Sequence, residues 1–355
     1  MEDQFPIREI LHGDGKLVDS AYESKITEKL AKSLFYKMLR ARMLDQKCFN
    51  LQRQGRIGTY VQYEGQEASQ IGSSAALEEG DWLFPTYRDH GAMLTFGYPM
   101  QTLLLLWKGR FAGNVAPQGK NIVPPSIPIA SQLPQAAGAA IAERKKGTDR
   151  VSIVYFGDGA TSEGDFHEGI NFASVFNAPT IFFNQNNGFA ISVPIAKQMK
   201  SKTIAQKSQA YDIEGVRIDG NDVFAVYFTT LDAIKKARRG DGPTLIESVT
   251  WRYNAHTTTD DASRYRNQEE SKKRRETTDP LLRVERFMKA KGWIDDNWIE
   301  QQRQGITTEI NDAIEAAENY PQAGVDELFD YVFEKPTWNL EEQKRAYLDM
   351  KAGVQ

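Results

Sequence analysis

Two short polar clusters in the middle of the chain carry side chains suited to bind a metal ion. One contains Asp158 and follows an apolar run at residues 151–156; the other contains Asn187 and follows a run at residues 180–183. Asp158 offers a hard carboxylate oxygen, Asn187 offers an amide carbonyl oxygen, and the backbone carbonyl of Phe189 could give a third. Three protein oxygens leave room for phosphate oxygens and a water molecule, a set that suits octahedral Mg²⁺.

The glycines on either side of Asp158 indicate an anionic ligand. Gly157 and Gly159 have no Cβ, so the backbone can approach a diphosphate closely. A helix that begins near Thr161 would point free N–H groups at the same anion. Ordinary turns use Gly, Asp and Asn as well, so Gly-Asp-Gly alone is a weak signal. The second cluster, 187 − 158 = 29 positions later, makes the ligand site much more specific.

Two strands and one helix must bring these clusters together. The apolar runs are short and β-branched, which is typical of buried strands. The segment between them has a helical pattern, with one apolar face formed by Phe166, Ile170 and Ala173 and widened by Phe172, Val175 and Phe176. A strand–helix–strand crossover places both clusters at the same edge of a parallel sheet, where ligands bind in open α/β folds.

Strands continue to alternate with helices further along the chain. Residues 215–220 and 243–251 form strand patterns, and Asp222 can cap the helix between them. The proline-rich stretch 121–134 predicts a loop that leads into an alanine-rich helix from Gln135. The alternation predicts an α/β fold with a doubly wound, mainly parallel sheet flanked by helices.

The domain organisation follows from where this pattern begins and ends. Residues 26–320 are predicted to form the α/β domain, and residues 1–25 an N-terminal arm. Residues 321–355 are predicted to form a C-terminal docking segment, because aromatic side chains cluster there that could meet a partner: Phe329, Tyr331, Phe333 and Trp338.

Composition excludes several classes of function. The net charge of the 355 residues is −4, so nothing favours binding to nucleic acid or to an anionic membrane. No apolar run approaches the roughly 20 residues that span a bilayer. Cys48 is the single cysteine, which excludes an intrachain disulfide and a multi-cysteine metal site. The first residues lack the basic and apolar regions of a signal peptide, so a cytoplasmic location is expected.

Several longer motifs, spread over nearly the whole chain, resemble those of a known family. Gly-Asp-Gly followed by Asn-Asn is the thiamine-diphosphate motif. The surrounding stretches resemble the alpha subunit of the first, decarboxylating component of 2-oxo-acid dehydrogenase complexes; they read GRIGTYVQYEGQEASQIGS, PTYRDHG, PIASQLPQAAG, GDGATSEGDFHEGINFA, NQNNGFAIS and HTTTDDASRYR. The resemblance implies a thiamine-diphosphate-binding fold of the diphosphate type, with thiamine diphosphate and Mg²⁺ as cofactors.

The resemblance also implies roles for individual residues. Tyr87 and Arg88 would hold the diphosphate, and the backbones of Ile127 and Ile129 would meet the aminopyrimidine ring. Asp158, Asn187 and Phe189 would bind the metal, and the residues expected to contact the cofactor include Gly157, Asp158, Gly159, Ala160, Asn187, Phe189 and His256. A loop resembling a potassium site in some relatives contains Ser126, Pro128, Ser131 and Gln132.

A long polar loop, residues 252–268, contains His256. Loops of this length inside a compact domain are usually functional. A lone loop histidine is more often solvated than catalytic, but the resemblance implies that His256 is an active-site residue that orders the loop and helps handle the substrate carboxylate. Arg264, Tyr265 and Arg266 are expected to hold the loop in place.

Thiamine-diphosphate catalysis needs a second element that is not recognisable in this chain. A glutamate must bond the pyrimidine ring, and the resemblance implies that a separate beta subunit supplies it within an α₂β₂ heterotetramer. The other implied partners are a 2-oxo acid and the lipoyl domain of a dihydrolipoyl acyltransferase, which accepts the acyl group.

The motifs most resemble bacterial pyruvate-type subunits, so oxidative decarboxylation of pyruvate is the predicted activity. Three alternatives remain at this point. They are a branched-chain 2-oxo acid as substrate, an acetoin-cleaving relative, and a regulatory subunit that kept the fold without the chemistry. A dinucleotide-dependent dehydrogenase is disfavoured, because no Gly-x-Gly-x-x-Gly follows a strand.

Overall fold

The computed structural model describes residues 4–353, and a six-stranded sheet forms the centre of this part of the chain. In chain order the strands are β1 (Trp82–Phe84), β2 (Asn121–Ile122), β3 (Ser152–Gly157), β4 (Thr180–Asn186), β5 (Phe189–Ala190), β6 (Val193–Pro194), β7 (Glu214–Asp219) and β8 (Thr244–Val249). The spatial order is β2-β1-β3-β4-β8-β7, while β5 and β6 pair separately as a short hairpin. Every pairing within the large sheet is parallel, which confirms the predicted fold class.

Helices cover both faces of the sheet. In chain order the helices of the described residues are α1 (Glu28–Arg53), α2 (Glu67–Ser74), α3 (His90–Phe96), α4 (Met100–Trp107), α5 (Gln132–Lys146), α6 (Gly164–Val175), α7 (Ile195–Gln198), α8 (Val223–Arg238), α9 (Gln268–Thr278), α10 (Pro280–Ala290), α11 (Asp296–Glu318), α12 (Asp326–Phe329) and α13 (Trp338–Gly353). Among the described residues, none of these helices combines the length and apolarity needed to cross a membrane.

Alternating residues of β3 divide the core into two layers, since successive strand side chains point to opposite faces. Val154 and Phe156 pack in one cluster with the apolar residues of α5 and α6. Ile153 and Tyr155 belong to the larger cluster, which includes α1, α2 and α8. The strand is therefore buried on both faces, as expected for a parallel sheet.

Helix α6 differs from its prediction in the width of its apolar face. Phe166, Ile170 and Ala173 are buried as predicted. The three residues expected to widen this face point to solvent instead, with exposed fractions of 54% for Phe172, 70% for Val175 and 47% for Phe176. One stripe of the helix is enough to cover the sheet, so helical periodicity alone wrongly added the second stripe to the core.

The helices beside the two polar clusters begin at different residues than predicted. Helix α5 begins at Gln132 rather than Gln135, and Pro134 occupies its first turn, where the missing N–H removes no helical hydrogen bond. After β3 the chain makes a 3₁₀ turn at Asp158–Ser162, and α6 begins at Gly164 instead of near Thr161. The backbone at Glu163 is extended, and this extended residue separates the turn from the helix.

The two ends of the chain pack differently against the domain. Ile10 and Leu11 are fully buried, and both backbone N–H groups donate to Asp222 Oδ2 at 2.7 Å. Asp222 also caps α8, as predicted from the sequence. Near the other end, Tyr331 stacks on Phe111 with ring centroids 4.2 Å apart.

Candidate active site

A cavity of about 250 Å³ opens at the carboxyl edge of the sheet. The connection from β1 leads to β2 on one side, while the connection from β3 leads to β4 on the other. Such a switch point leaves a crevice in which ligands of doubly wound folds bind. Most residues predicted for the site line this cavity: Tyr87, Arg88, Ile129, Gly157, Asp158, Gly159, Ala160, Asn187, Phe189 and His256. Ile127 is not among the lining residues, and its side chain is largely exposed.

Asp158 is a buried carboxylate that is left without a full set of partners. Its side chain is 1% exposed, and among the described residues no donor reaches Oδ2. Burial raises the pKa of Asp158 to about 6. A buried oxygen without a partner costs roughly 1–3 kcal/mol, and a ligand bound in the cavity would supply the missing contact. The carboxylate therefore fits a divalent cation.

Asn187 faces Asp158 across the same cavity, because β3 and β4 are parallel neighbours. Its Nδ2 donates to Gln66 Oε1 at 3.1 Å, and its Oδ1 accepts from the backbone N–H of Phe189 at 3.2 Å. A carbonyl oxygen has two lone pairs, so Oδ1 can accept one more contact. Within the described residues no three His, Cys, Asp or Glu side chains form a metal cluster, so a cation here would depend on amide and backbone oxygens as well.

The two glycines beside Asp158 have different surroundings. A Cβ on Gly159 would lie 3.0 Å from the Cβ of Ala190, which is a tight contact. A Cβ on Gly157 would meet no protein atom within 4 Å, and its backbone is extended at φ −85°. Gly157 lines the cavity, so the absence of a Cβ there leaves space for a ligand and is not required by packing against other protein atoms.

Two buried guanidinium groups, Arg88 and Arg252, give the cavity a positive wall. Burial, with the charge of Arg252 adding to it, lowers the pKa of Arg88 to about 10. Two like charges in one buried space favour an anion between them. Arginine suits phosphate oxygens through its planar set of donors, so the wall fits a diphosphate.

His256 lies against both arginines. Arg88 Nη2 is 3.0 Å from its Nδ1, and Arg252 Nη1 is 3.4 Å from the same atom. Burial and these two charges lower the pKa of His256 to about 3, so the ring is neutral at pH 7. Since an arginine can only donate, Nδ1 accepts and the proton sits on Nε2. The ring of Tyr87 meets the imidazole edge-on at 6.0 Å.

The loop that carries His256 is fixed to the body of the domain. Arg266 donates to the carbonyl oxygens of Arg252, Tyr253 and Asn254. Tyr265 donates to Asp260, which in turn accepts from the backbone N–H of His256 at 2.8 Å. Arg264 was also expected to hold the loop, but its side chain is exposed.

A second anchor ties this loop to residues 60–64. Asn254 Nδ2 donates to Glu64 Oε2 at 2.8 Å, and Thr258 and Tyr60 exchange two hydrogen bonds of 3.0 Å. Burial raises the pKa of Glu64, but the hydrogen bond from Arg275 and the charge of Arg42 outweigh it and lower the pKa to about 2. Glu64 is therefore an ionised anchor for the loop.

The loop that resembles a potassium site forms a compact turn. Ser126 Oγ and Ser131 Oγ lie 2.7 Å apart, and they are 3.1 and 3.0 Å from the carbonyl oxygen of Pro128. One hydroxyl can donate to the other while the second donates to this carbonyl oxygen. Gln132 Nε2 donates to the carbonyl oxygen of Tyr155 at 2.8 Å.

Several cavity residues were missed from the sequence, notably Gln66, Gln185 and Arg252. Arg252 follows the carboxyl end of β8, so the rule that selected Asp158 and Asn187 could have selected it too. Gln185 immediately precedes the asparagine pair. Gln66 lies in the stretch GRIGTYVQYEGQEASQIGS that resembles the family, but only its long-range contact with Asn187 places it at the site.

Comparison with known proteins identifies a family and two similar relatives. A sequence profile of the dehydrogenase E1 component family matches residues 36–326, a range that includes every predicted site residue. The pyruvate dehydrogenase E1 component subunit alpha of Staphylococcus epidermidis is 40% identical over 352 residues, which cover 99% of this chain and 95% of the relative. The protein of the same name from Staphylococcus aureus is equally similar, with 40% identity over the same shares of both chains.

Proposed function

Because the chain belongs to the dehydrogenase E1 component family, we propose that it is the alpha subunit of a pyruvate dehydrogenase. In this reaction pyruvate loses CO₂, and its two-carbon acyl group passes to a lipoyl disulfide, which is reduced as the new thioester forms. One observation carries the proposal: Asp158, whose Oδ2 has no donor among residues 4–353, and the Asn187 amide share a cavity with Arg88 and Arg252. This set of groups matches a divalent cation that is bound to a diphosphate.

The residues divide into those that hold the metal and those that hold the anion. Asp158 Oδ2, Asn187 Oδ1 and the carbonyl oxygen of Phe189 would bind Mg²⁺. Arg88, with the hydroxyl of Tyr87, would bind diphosphate oxygens, while Gly157, Gly159 and Ala160 let the backbone come close. Bound thiamine diphosphate would supply a nucleophilic carbon and an electron sink for decarboxylation.

His256 acts on the substrate side of the site. Its ring is neutral and its Nε2–H is a donor, because Arg88 occupies Nδ1. A neutral N–H group can donate a hydrogen bond to the carbonyl oxygen of the substrate, or to its carboxylate without neutralising the carboxylate charge. The backbones of Ile127 and Ile129 would meet the pyrimidine ring, and Ile129 already lines the cavity.

A beta subunit completes the site in an α₂β₂ heterotetramer. The volume of about 250 Å³ is below the roughly 300–1,000 Å³ of complete small-molecule sites. Exposed apolar side chains near the cavity and on α6 support a partner surface: Ile127, Ile129, Phe172, Val175, Phe176, Ile191 and Val193. The proposed division keeps residues 26–320 as the cofactor domain, residues 1–25 as an arm and residues 321–355 as a docking segment. Of these, residues 1–3 and 354–355 lie outside the part of the chain that the structure describes. A cytoplasmic complex with a lipoyl-bearing acyltransferase is the setting in which this subunit would act.

The test is to purify the chain with its beta-type partner and measure decarboxylation with a dye acceptor. Activity should require both Mg²⁺ and thiamine diphosphate, and pyruvate should be used in preference to 2-oxoisovalerate. Preference for 2-oxoisovalerate would assign the branched-chain reaction instead. Activity with neither acid would overturn the proposal and would direct attention to acetoin cleavage.

One variant distinguishes a catalytic subunit from a regulatory subunit that kept the fold without the chemistry. Asp158→Ala should abolish Mg²⁺-dependent cofactor binding and activity of the complex while the circular dichroism spectrum stays unchanged. Unchanged activity of that complex would show that the cavity is not catalytic.

A further inference from the structure

A chain of buried side-chain amides runs beneath the cavity, and its first member has a fixed orientation. Gln70 Oε1 accepts from the backbone N–H of Gly91 at 2.9 Å. Gln70 Nε2 donates to the backbone carbonyl oxygen of Arg88 at 3.0 Å. A backbone N–H can only donate and a backbone carbonyl can only accept. The amide of Gln70 can therefore face only one way.

Gln70 and Asp89 then fix the orientation of Gln185. Gln70 Nε2 also donates to Gln185 Oε1 at 3.2 Å, and Gln185 Nε2 donates to the carboxylate of Asp89. Turning the Gln185 amide over would place its NH₂ against another NH₂ and its carbonyl oxygen against a carboxylate. Both contacts would be repulsive, so the orientation of Gln185 follows from that of Gln70.

Gln66 in turn fixes the orientation of the Asn187 amide. Gln66 Nε2 donates to Gln185 Oε1 at 3.1 Å, which leaves Gln66 Oε1 to accept from Asn187 Nδ2, also at 3.1 Å. At the far end, Asn187 Oδ1 accepts from the backbone N–H of Phe189. Backbone groups thus fix both ends of the chain, and the two ends require the same orientation of Asn187.

We propose that Gln66 is a positioning residue that holds the carbonyl oxygen of Asn187 toward the metal site. This inference rests on the proposed function, because it assigns Asn187 Oδ1 to the cation. The amide chain, defined as Gln70, Gln185, Gln66 and Asn187, also joins the cation side of the cavity to the backbone of Arg88. The groups that hold the metal and the diphosphate are therefore held in fixed positions relative to each other.

The two alternative orientations of Asn187 have opposite effects on a cation. With Gln66 in place, Nδ2 is occupied and Oδ1 remains available. Without the acceptor at residue 66, only the backbone N–H of Phe189 still favours this orientation, so the amide turns over more readily and then presents to Mg²⁺ an NH₂ group, which repels the cation. Residues that orient metal ligands typically change metal affinity by about 10- to 100-fold when they are replaced.

The test starts from the cofactor-free complex with the beta subunit and titrates Mg²⁺ in the presence of thiamine diphosphate. Tryptophan fluorescence or calorimetry measures the binding of thiamine diphosphate at each Mg²⁺ concentration. Gln66→Met keeps the length of the side chain but removes both hydrogen-bonding groups. It should raise the Mg²⁺ concentration for half-saturation by about 10-fold or more. Binding and turnover should be restored at saturating Mg²⁺, because the effect of Gln66 on the cation passes through Asn187.

Two further variants control this experiment. Gln66→Glu keeps the acceptor for Asn187 Nδ2 but loses the donor to Gln185 Oε1, so its half-saturation should lie between those of the unmodified complex and Gln66→Met. Gln206→Met replaces a glutamine that caps a turn at Lys202 and Thr203 outside the cavity, and it should leave the titration unchanged. If Gln66→Met does not assemble, Gln185→Met decides in its place, and it should shift the half-saturation in the same direction.

The outcomes separate this inference from the proposed function. If the unmodified complex shows no Mg²⁺-dependent binding of thiamine diphosphate, the proposed function fails and this inference fails with it. If the unmodified complex binds normally and Gln66→Met has the same half-saturation, the positioning role is wrong while the proposed function stands. A loss that saturating Mg²⁺ does not restore would also overturn the positioning role.

Discussion

Arg88 donates from a single nitrogen, Nη2, to two atoms of His256: the ring Nδ1 at 3.0 Å and the backbone carbonyl oxygen at 2.8 Å. The first contact sets the tautomer of the imidazole, and the second holds the loop that carries it. The residue proposed to bind the diphosphate is therefore also the residue that orders the proposed substrate-binding histidine. Cofactor binding and loop order should be coupled through this side chain.

We expect Arg88→Lys to weaken both the binding of thiamine diphosphate and the order of the loop that carries His256. A lysine is a single point donor and cannot reach the diphosphate and both atoms of His256 together. The dissociation constant of thiamine diphosphate should rise about 10- to 100-fold, in line with the loss of one or two charged hydrogen bonds. Calorimetry gives the constant, and limited proteolysis of residues 252–268 reports loop order. Weaker binding with an equally protected loop would contradict the coupling.

Acidification should destabilise the protein partly through His256. Its pKa is lowered to about 3 in the folded chain, against 6.5 for the ordinary side chain, so the unfolded state binds the proton more readily. The stabilising effect of the neutral ring is complete above about pH 6.5 and is lost as the pH falls toward 3. Urea unfolding at several pH values gives the free energy of unfolding. Between about pH 6.5 and 3 this free energy should decline less steeply for His256→Gln than for the unmodified protein. Parallel declines would show that His256 does not titrate as described.

Gly157→Ala should separate folding from binding. The backbone is extended and the added Cβ meets no protein atom within 4 Å, so the free energy of unfolding should change by less than about 0.5 kcal/mol. The methyl group would nevertheless enter the space proposed for the cofactor, so its affinity should fall by about 10-fold or more. Denaturation and calorimetry on the same sample make the comparison. Unchanged affinity would place the cofactor away from this edge of the sheet.

Asp158→Asn should stabilise the cofactor-free protein while it removes the metal site. The variant replaces a buried carboxylate, whose Oδ2 has no donor among the described residues, with a neutral amide. Removing that charge should raise the free energy of unfolding by about 1 kcal/mol at pH 7. Mg²⁺-dependent binding of thiamine diphosphate should disappear. A clear loss of stability would show that the carboxylate serves the fold and not a ligand.

The sequence alone located the two polar clusters and the sheet that positions them. This was possible because the information is local: a buried strand, a glycine-flanked carboxylate and an asparagine pair are each read within a few residues. A parallel crossover then leaves little choice about which edge they share. The long motifs named the family for the same reason, since each is a contiguous stretch.

Only the tertiary structure decided which residues complete the site and which apolar residues face outward. Gln66 reaches Asn187 across 121 positions, and no pattern along the chain contains that contact. Arg252 becomes part of the positive wall because β8 lies beside β4. Phe172 and Val175 fit the helical period of a core face, yet they are exposed. Periodicity reports that a residue is apolar on a helix, whereas packing against particular neighbours determines whether the fold or a partner buries it.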